Sequence, residues 1–363
     1  MDLGDDGGDI PVVMTVAGSD SCGGAGLQAD LKTFFSLGCH GTTAVTCVTA
    51  QSTAGVKGIM SMEPGFVSLQ MRTVFEDCRV RAVKTGMLHT AQCIREVAEV
   101  LRDYCDLPEN KTADKAQRKT WITSVVVDPV MVASSGDSLT ADQAKMIETL
   151  KEALFPLASV ITPNIPEAET LLGWEAESIR SPSDMERAAR ELCEKHGCRA
   201  CLVKGGHLAL NLHSASAASA TVSSVSGSEQ NGGCPSEIVD VLFDSKSGEL
   251  ARIALPTIMP SGAAGGKSKR GDSAEGLAGG IAAVHGTGCS LASALTAYLV
   301  RSFDLFEAAH LAKEYVHTAI ENAYELGEKS LGLEHGSVPG AAAAIMSAEI
   351  SGVVGEEEKI EVD

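Results

Sequence analysis

The sequence is poor in aromatic residues and in positive charge. Phe, Trp and Tyr make up 4% of its 363 residues, too few for the stacked platforms on which proteins hold single-stranded nucleic acid. Lys and Arg number 29 against 48 Asp and Glu, a formal net charge of −19. That balance excludes a chain whose main task is to grip nucleic acid or an anionic membrane, but it leaves room for a local cationic site around phosphates. No run of about 18 apolar residues is present, so no membrane span is predicted. The opening MDLGDDGGDI lacks both the basic-then-apolar pattern of a secretory leader and the arginines of a transit peptide, and the expected setting is the cytoplasm. Eleven cysteines at scattered spacings, with no such leader, point to free thiols in a reducing compartment.

What is present is ample apolar material, 44% of the chain, in an alternating pattern. Strands are predicted at 12–17, 42–48, 80–83, 125–127, 160–161 and 200–203. Helices are predicted at 25–37, from Pro64, and at 94–101, 141–154, 166–172 and 182–196. Val125, Val126 and Val127 form the continuous β-branched run of a central parallel strand buried on both faces. Ser181-Pro182 is an N-cap followed by a first-turn proline. Strand and helix alternating over this length predict an α/β fold, a large and mostly parallel twisted sheet with helices on both faces. A hairpin is expected over 239–243 and 252–255, and two closing helices over 287–300 and 305–326.

Two stretches break the alternation. Residues 214–236 hold eight serines and three glycines, and 260–283 hold seven glycines; neither can bury enough apolar surface to offset ordering its backbone, so both read as flexible insertions. The predicted organisation is an acidic tail at 1–11, one domain over 12–336 carrying those insertions, and an alanine-rich segment with an acidic tail at 337–363.

Several local motifs compete for the chemistry. Gly24-Ala25-Gly26-Leu27-Gln28-Ala29 fits a dinucleotide fingerprint between a strand and a helix. The next strand, however, ends at Ala50-Gln51 with no carboxylate for a ribose, and a substrate-binding turn is the better reading. Gly266-Lys267-Ser268 resembles the end of a phosphate loop, but Ser261 stands where the first glycine is needed and no strand precedes it. Cys193, Cys198, Cys201 and His196 lack a second C-x-x-C pair, so packed thiols are favoured over zinc. His285-Gly286-Thr287-Gly288-Cys289 opens an apolar helix, where free backbone N–H groups and the positive helix end form an anion hole. Glu167, in Asn164-Ile165-Pro166-Glu167, enters the first turn of another helix. Beside phosphates a carboxylate calls for Mg²⁺, which is held by one or two carboxylates with water and phosphate oxygens; the plainer reading is a helix start stabilised by its glutamate. Asp128 and Lys204-Gly205-Gly206-His207 each follow an apolar strand, at the edge where open α/β sheets bind ligands.

Taken in chain order, AGSDSCGGAGLQADLKTF, TAQST, VKTGML, DPVMVASSGDSL, ITPNIPEAE, KGGH and HGTGCSLASAL resemble the hydroxymethylpyrimidine and phosphomethylpyrimidine kinases of thiamine biosynthesis, within the ribokinase-like superfamily. The resemblance covers about 12–208 and 284–336. It implies a ribokinase-like fold, a homodimer, and no nucleic-acid or membrane partner. It implies Mg-ATP-dependent phosphorylation of 4-amino-5-hydroxymethyl-2-methylpyrimidine and then of its monophosphate. By the same match, Gly18, Asp30, Gln51, Met87 and Val130 surround the pyrimidine, where the Gln51 amide can pair with a ring nitrogen and an exocyclic amine. Asp128 and Glu167 stand on the Mg²⁺ side. Asn164, Lys204 and Gly205 match nucleotide-phosphate positions, and Gly286, Thr287 and Gly288 the anion hole. Cys289 falls where sugar kinases of the superfamily place an aspartate base, and is expected to meet the hydroxymethyl group. The segment before it, Gly279 to Val284, departs from the threonine and asparagine common in the family. The alternatives are a pyridoxal kinase of the same superfamily and a non-catalytic pyrimidine-binding regulatory protein, with a nicotinamide-dependent oxidoreductase more remote.

Overall fold

The computed structural model describes residues 10–105, 122–131, 143–206, 237–258, 284–327 and 330–336. The two predicted insertions and both predicted tails lie almost wholly outside these residues, as does His207. A nine-stranded sheet runs in the order β3-β2-β1-β4-β5-β6-β7-β8-β9. Its strands are β1 (Val12–Ser19), β2 (His40–Ser52), β3 (Gly55–Ser61), β4 (Val80–Thr85), β5 (Ser124–Val127), β6 (Val160–Ile161), β7 (Ala200–Val203), β8 (Glu237–Asp244) and β9 (Leu250–Pro256). The six strands from β2 to β7 in that order pair in parallel, while β3, β8 and β9 join antiparallel. The chain passes from β1 to β2 on one side and to β4 on the other. The strand order therefore reverses beside β1, which opens a crevice at the C-terminal strand ends.

Each face carries its own core. On one side lie α2 (Phe66–Asp77), α3 (Ala91–Tyr104), α4 (Gln143–Thr149), α5 (Ile165–Leu172) and α6 (Pro182–His196). On the other lie α1 (Gly26–Ser36), α7 (Thr287–Val300) and α8 (Leu305–Glu321). The valine run on β5 divides between them. Val125 and Val127 enter the first core and Val126 the second, each buried, as alternation along a strand requires. Caps set the helix starts: Thr90 accepts from the Cys93 N–H ahead of α3, and Ser181 from Asp184 ahead of α6.

Four elements differ from the sequence expectation. β2 is longer than predicted and turns into β3, which the sequence analysis left unassigned. β3 is largely exposed on both faces, so no apolar alternation marks it. The last helix stops at Glu321 rather than continuing to 326. Tyr324–Glu325 instead pairs with Leu331–Gly332, and Leu331–Gly332 pairs with Val284–His285, in a separate three-stranded sheet. The helix predicted over 141–154 is described from Gln143, and beyond Thr149 it widens to a π-turn at Leu150–Leu154 and closes in a 3₁₀ turn at Phe155–Leu157.

The deepest polar contact lies below the crevice. Lys84 on β4 and Asp30 on α1 are both 0% exposed, with Lys84 Nζ 2.9 Å from each carboxylate oxygen. Thr15 on β1 (2.6 Å) and Ser293 on α7 (2.8 Å) donate to the same carboxylate. Removing one partner of such a pair strands a buried charge and costs about 3–5 kcal/mol. Lys84→Met and Asp30→Asn are each expected to lower unfolding stability by that order. Their double variant should lose clearly less than the sum, as read from urea midpoints; strict additivity would contradict the coupling.

Candidate active site

The site is built on strand ends. Asp128 follows β5 and is 3% exposed; its Oδ1 accepts from Lys204 Nζ at 2.8 Å and from Thr162 at 3.1 Å. Lys204 follows β7, and its backbone bridges Asn164 after β6. Asn164 caps α5 in a reciprocal box: its Oδ1 accepts from Glu167 N (2.9 Å) while Glu167 Oε2 accepts from Asn164 N (2.8 Å). The glutamate is thereby turned toward the Asp128–Lys204 pair. A Cβ at Gly288 would stand 3.3 Å from Lys204 Nζ and 3.9 Å from Asp128 Oδ2, so the glycine turn ahead of α7 lies directly against them. Thr287, Gly288 and Cys289 are partly accessible there, and first-turn N–H groups are the ones a helix leaves free.

The turn is locked to the one before α1. Gly286 sits at φ +87°, where a Cβ would fall 1.8 Å from the Gly24 carbonyl oxygen, so only glycine fits. The Gly26 N–H stands near the Cys289 thiol and favours its ionised form, so the N-termini of α1 and α7 meet beside that residue. Beside this lies an apolar cluster of Cys47, Met87, Val56, Ile59 and Val130. Gly18 opens onto it: a Cβ there would meet Met87 Cε at 2.6 Å and Cys47 Sγ at 2.8 Å.

The electrostatics are those of crowded carboxylates. Burial pushes Glu167 up to about 7, with the Asp128 charge adding to the rise and Lys204 opposing it. Burial would lower Lys204, but Asp128 and Glu167 hold its ammonium above the usual lysine range. Burial pushes the Cys289 thiol up to about 11 against the pull of Lys84, so at neutral pH it is a thiol and not a thiolate.

Most of the sequence candidates meet at this rim: Asp128, Glu167, Asn164, Lys204, Gly286, Thr287, Gly288 and Cys289 on one side, Gly18, Met87 and Val130 on the other. Asp30 does not reach it; its carboxylate lies beneath, engaged by Lys84, Thr15 and Ser293. Gly205 turns its N–H inward to Asp240 Oδ1 (2.7 Å), away from any phosphate. Gln51 reaches the apolar side, its amide 3.3 Å from Thr49 Oγ1 and 3.2 Å from His285 Nε2.

Sequence reasoning missed Lys84, Asp20, His285, and the Asp240–Lys313 pair behind Gly205 (3.1 Å). Lys84, Asp20 and His285 each lie inside a motif already singled out, and a charged residue amid apolar strand residues was the available signal for Lys84. Cys193 and Cys198 are buried with their sulfurs 3.7 Å apart, and His196 packs edge-on against Phe155.

Residues 20–230 and 278–334 match the phosphomethylpyrimidine kinase family. The thiamine biosynthesis bifunctional protein ThiED of Geobacter sulfurreducens is 40% identical over 87% of the chain, which spans about half (50%) of that relative's length. The hydroxymethylpyrimidine/phosphomethylpyrimidine kinase of Bacillus subtilis is 36% identical over 86% of the chain and 90% of its own. Among solved structures, the Staphylococcus aureus pyridoxal kinase in complex with ADP superposes with a TM-score of 0.65 at 26% identity, over 91% of this chain and 95% of that one.

The raised Glu167 has a consequence for ligand-free stability. Between about 4.5 and 7 the folded chain holds a proton that the unfolded chain has lost, so stability falls as pH rises through that window. The loss is on the order of 3 kcal/mol. Glu167→Gln should remove this slope. Urea unfolding of both proteins at pH 4.5 and 8 measures it, and parallel pH dependences would contradict the assignment.

Proposed function

The chain belongs to the phosphomethylpyrimidine kinase family, and we propose that it transfers the terminal phosphoryl group of ATP to the hydroxymethyl oxygen of 4-amino-5-hydroxymethyl-2-methylpyrimidine, and then a second one to the monophosphate so formed. One observation carries this reading: a glycine turn at the start of α7, a lysine and two carboxylates share one strand-end rim with a small apolar cluster. A triphosphate can lie along the first group while a flat heteroaromatic alcohol lies on the second. ADP bound to the pyridoxal kinase relative supports the nucleotide.

The residues fit Mg²⁺. Asp128 and Glu167 offer oxygen donors only, and one of the pair is forced toward protonation when no divalent charge is near. Asp128 and Glu167 would hold Mg²⁺, which commonly takes one or two carboxylates from a protein, and the ion would neutralise charge on the phosphate oxygens. Lys204, fixed by Asp128, supplies a second cationic contact, and the N–H groups of Thr287, Gly288 and Cys289 supply dipoles. Phosphoryl transfer through a loose transition state asks mainly for positioning and charge neutralisation. A thiol raised to about 11 is consistent with that: Cys289 positions the hydroxymethyl group as a neutral thiol, and the hydroxyl proton, which an S–H cannot take up, leaves on a phosphoryl oxygen and passes to water as the phosphate ester forms. Gln51 reads the ring edge, and Met87 packs on its face. In its fuller form the reading is a cytoplasmic homodimer, with the cross-strand pair Val48 and Met60, 45% and 72% exposed, at its apolar contact.

The pyridoxal kinase superposition favours a second reading, phosphorylation of a hydroxymethyl pyridine. The higher identity to the Bacillus subtilis enzyme (36% against 26%) places the pyrimidine first. A coupled ATP-consumption assay with both alcohols, followed by product mass, separates the readings. Mono- and diphosphate of the pyrimidine are expected; a strong preference for pyridoxal reverses the order, and no ATP turnover with either leaves a binding protein. Cys289→Ala is expected to lower kcat about 10²-fold, the order lost when a reacting group is misplaced, with little change in the KM for the pyrimidine. An unchanged kcat would remove Cys289 from the reaction.

A further inference from the structure

Gln51 touches a polar chain that the reaction itself does not use. Asp20, 3% exposed, lies 3.0 Å by Oδ2 from His285 Nε2. The same oxygen accepts from Gly24 N (3.0 Å) and Ala25 N (2.8 Å), and Oδ1 accepts from Cys22 N (2.9 Å). Burial acts to raise Asp20, but His285 and these amides outweigh it and hold the carboxyl below its usual range. Asp20 is therefore an ionised acceptor, and a carboxylate 3.0 Å away requires the proton on His285 Nε2. A Cβ on Gly24 would fall 2.4 Å from His285 Cδ2 and 3.3 Å from its Cγ, so the imidazole edge occupies the space that a side chain on the glycine turn would need.

This fixes Gln51. An N–H on His285 Nε2 cannot face an amide NH₂, so the atom 3.2 Å away is the amide oxygen. Amide oxygen and nitrogen exchange by a half-turn, and only the network decides between them. With the oxygen on His285, the amide nitrogen faces Thr49 Oγ1, whose own hydroxyl proton goes to the Ser19 carbonyl at 2.9 Å. The Thr49 hydroxyl then donates to the Ser19 carbonyl and the Gln51 amide to Thr49, while the single His285 Nε2–H is shared between Asp20 Oδ2 and the Gln51 oxygen. Gln51 is left with one N–H and one oxygen lone pair in a set order along its edge. That order suits a ligand presenting a ring-nitrogen acceptor next to an amino donor. The 4-oxo tautomer presents a ring N–H next to a carbonyl, and meets donor against donor and acceptor against acceptor.

We propose that the Asp20–His285 pair, with Thr49, is the positioning device that sets the orientation of the Gln51 amide and thereby selects the 4-amino over the 4-oxo pyrimidine. This rests on the reading of Gln51 as the residue that meets the ring edge. His285 and Thr49 are positioning residues: they act through Gln51.

The test compares kcat/KM for 4-amino-5-hydroxymethyl-2-methylpyrimidine and for its 4-oxo analogue, with ATP saturating. Wild type is expected to prefer the amino compound about 10³-fold or more, because a site with a fixed hydrogen-bond pattern strongly rejects its mismatch. His285→Ala should bring the ratio to within about 10-fold, mainly through KM for the pyrimidine, with the KM for ATP unchanged. Thr49→Val removes a single hydroxyl, keeps the side-chain shape, and should relax the same ratio; it decides the matter if His285→Ala does not fold. A purely structural role would lower both rates alike and leave the ratio intact. Wild-type turnover of the amino compound with the ratio retained in the folded variants, or with no preference at all, overturns the inference. Failure of wild type to phosphorylate either pyrimidine overturns the functional reading instead.

Discussion

The buried contact between Lys84 and Asp30 is the constraint on which the site depends. Two opposite charges at 0% exposure are tolerable only with their remaining valences filled. Thr15 and Ser293 fill them, so β1, β4, α1 and α7 are tied at one point. Those four elements carry the glycine turn before α1, the strand end leading to Met87, and the turn that ends in Cys289. Shifting any of them would open a charge to apolar surroundings at a cost of several kcal/mol. The pair thus sets the geometry of the crevice from below while Lys84 biases the thiol above it.

Over that floor the rim is divided by chemistry. One half is acceptor-rich and cationic at its centre, with Asp128 and Glu167 flanking Lys204 and the free amides of α7 alongside. The other half is sulfur and aliphatic carbon, from Cys47, Met87 and Val130. The halves meet where two glycine turns interlock, Gly286 against the Gly24 carbonyl, with no space for a single Cβ. Backbone approach this close lets an anion reach amide groups on one side while the His285 ring braces the other. The cost of negative charge on the acidic half rises with burial and falls when a divalent cation or a proton arrives, so ligand charge and local protonation are linked there.

Much of this was legible in the sequence, and what was hidden has physical causes. The valine run 125–127 announced a strand buried on both faces, and Asn164, Ser181 and the glycine turns announced helix starts, because these signals are local. Asp128, Lys204 and Gly288 could be placed at strand or helix ends, which is enough to bring them together in an open sheet. β3 gave no signal because none of its residues is fully buried and its partly covered Val56 and Ile59 are three apart, off the period of two. The end of α8 was overrun because its apolar spacing continues to Leu326, although pairing of Tyr324–Glu325 with Leu331–Gly332 draws that segment into a sheet. Asp30 looked like a rim residue until its partners were known: a carboxylate on a first helix reads alike whether it faces a ligand or a lysine 54 positions away. Gly205 looked like a phosphate contact for the same reason, since nothing local marks Asp240 as the acceptor of its N–H. Long-range pairing of this kind is set by tertiary structure alone.

In the proposed reaction one rim holds the nucleotide phosphates and the pyrimidine together. A crystal structure of the protein with Mg²⁺, a non-hydrolysable ATP analogue and the pyrimidine alcohol tests it most directly. The terminal phosphate is expected within hydrogen-bond distance of the Gly288 and Cys289 amides and of Lys204, the metal on the Asp128 and Glu167 side, and the ring against Met87 with its amino edge on Gln51. Phosphates bound elsewhere, or a ring away from the Cys47–Met87–Val130 cluster, would contradict it.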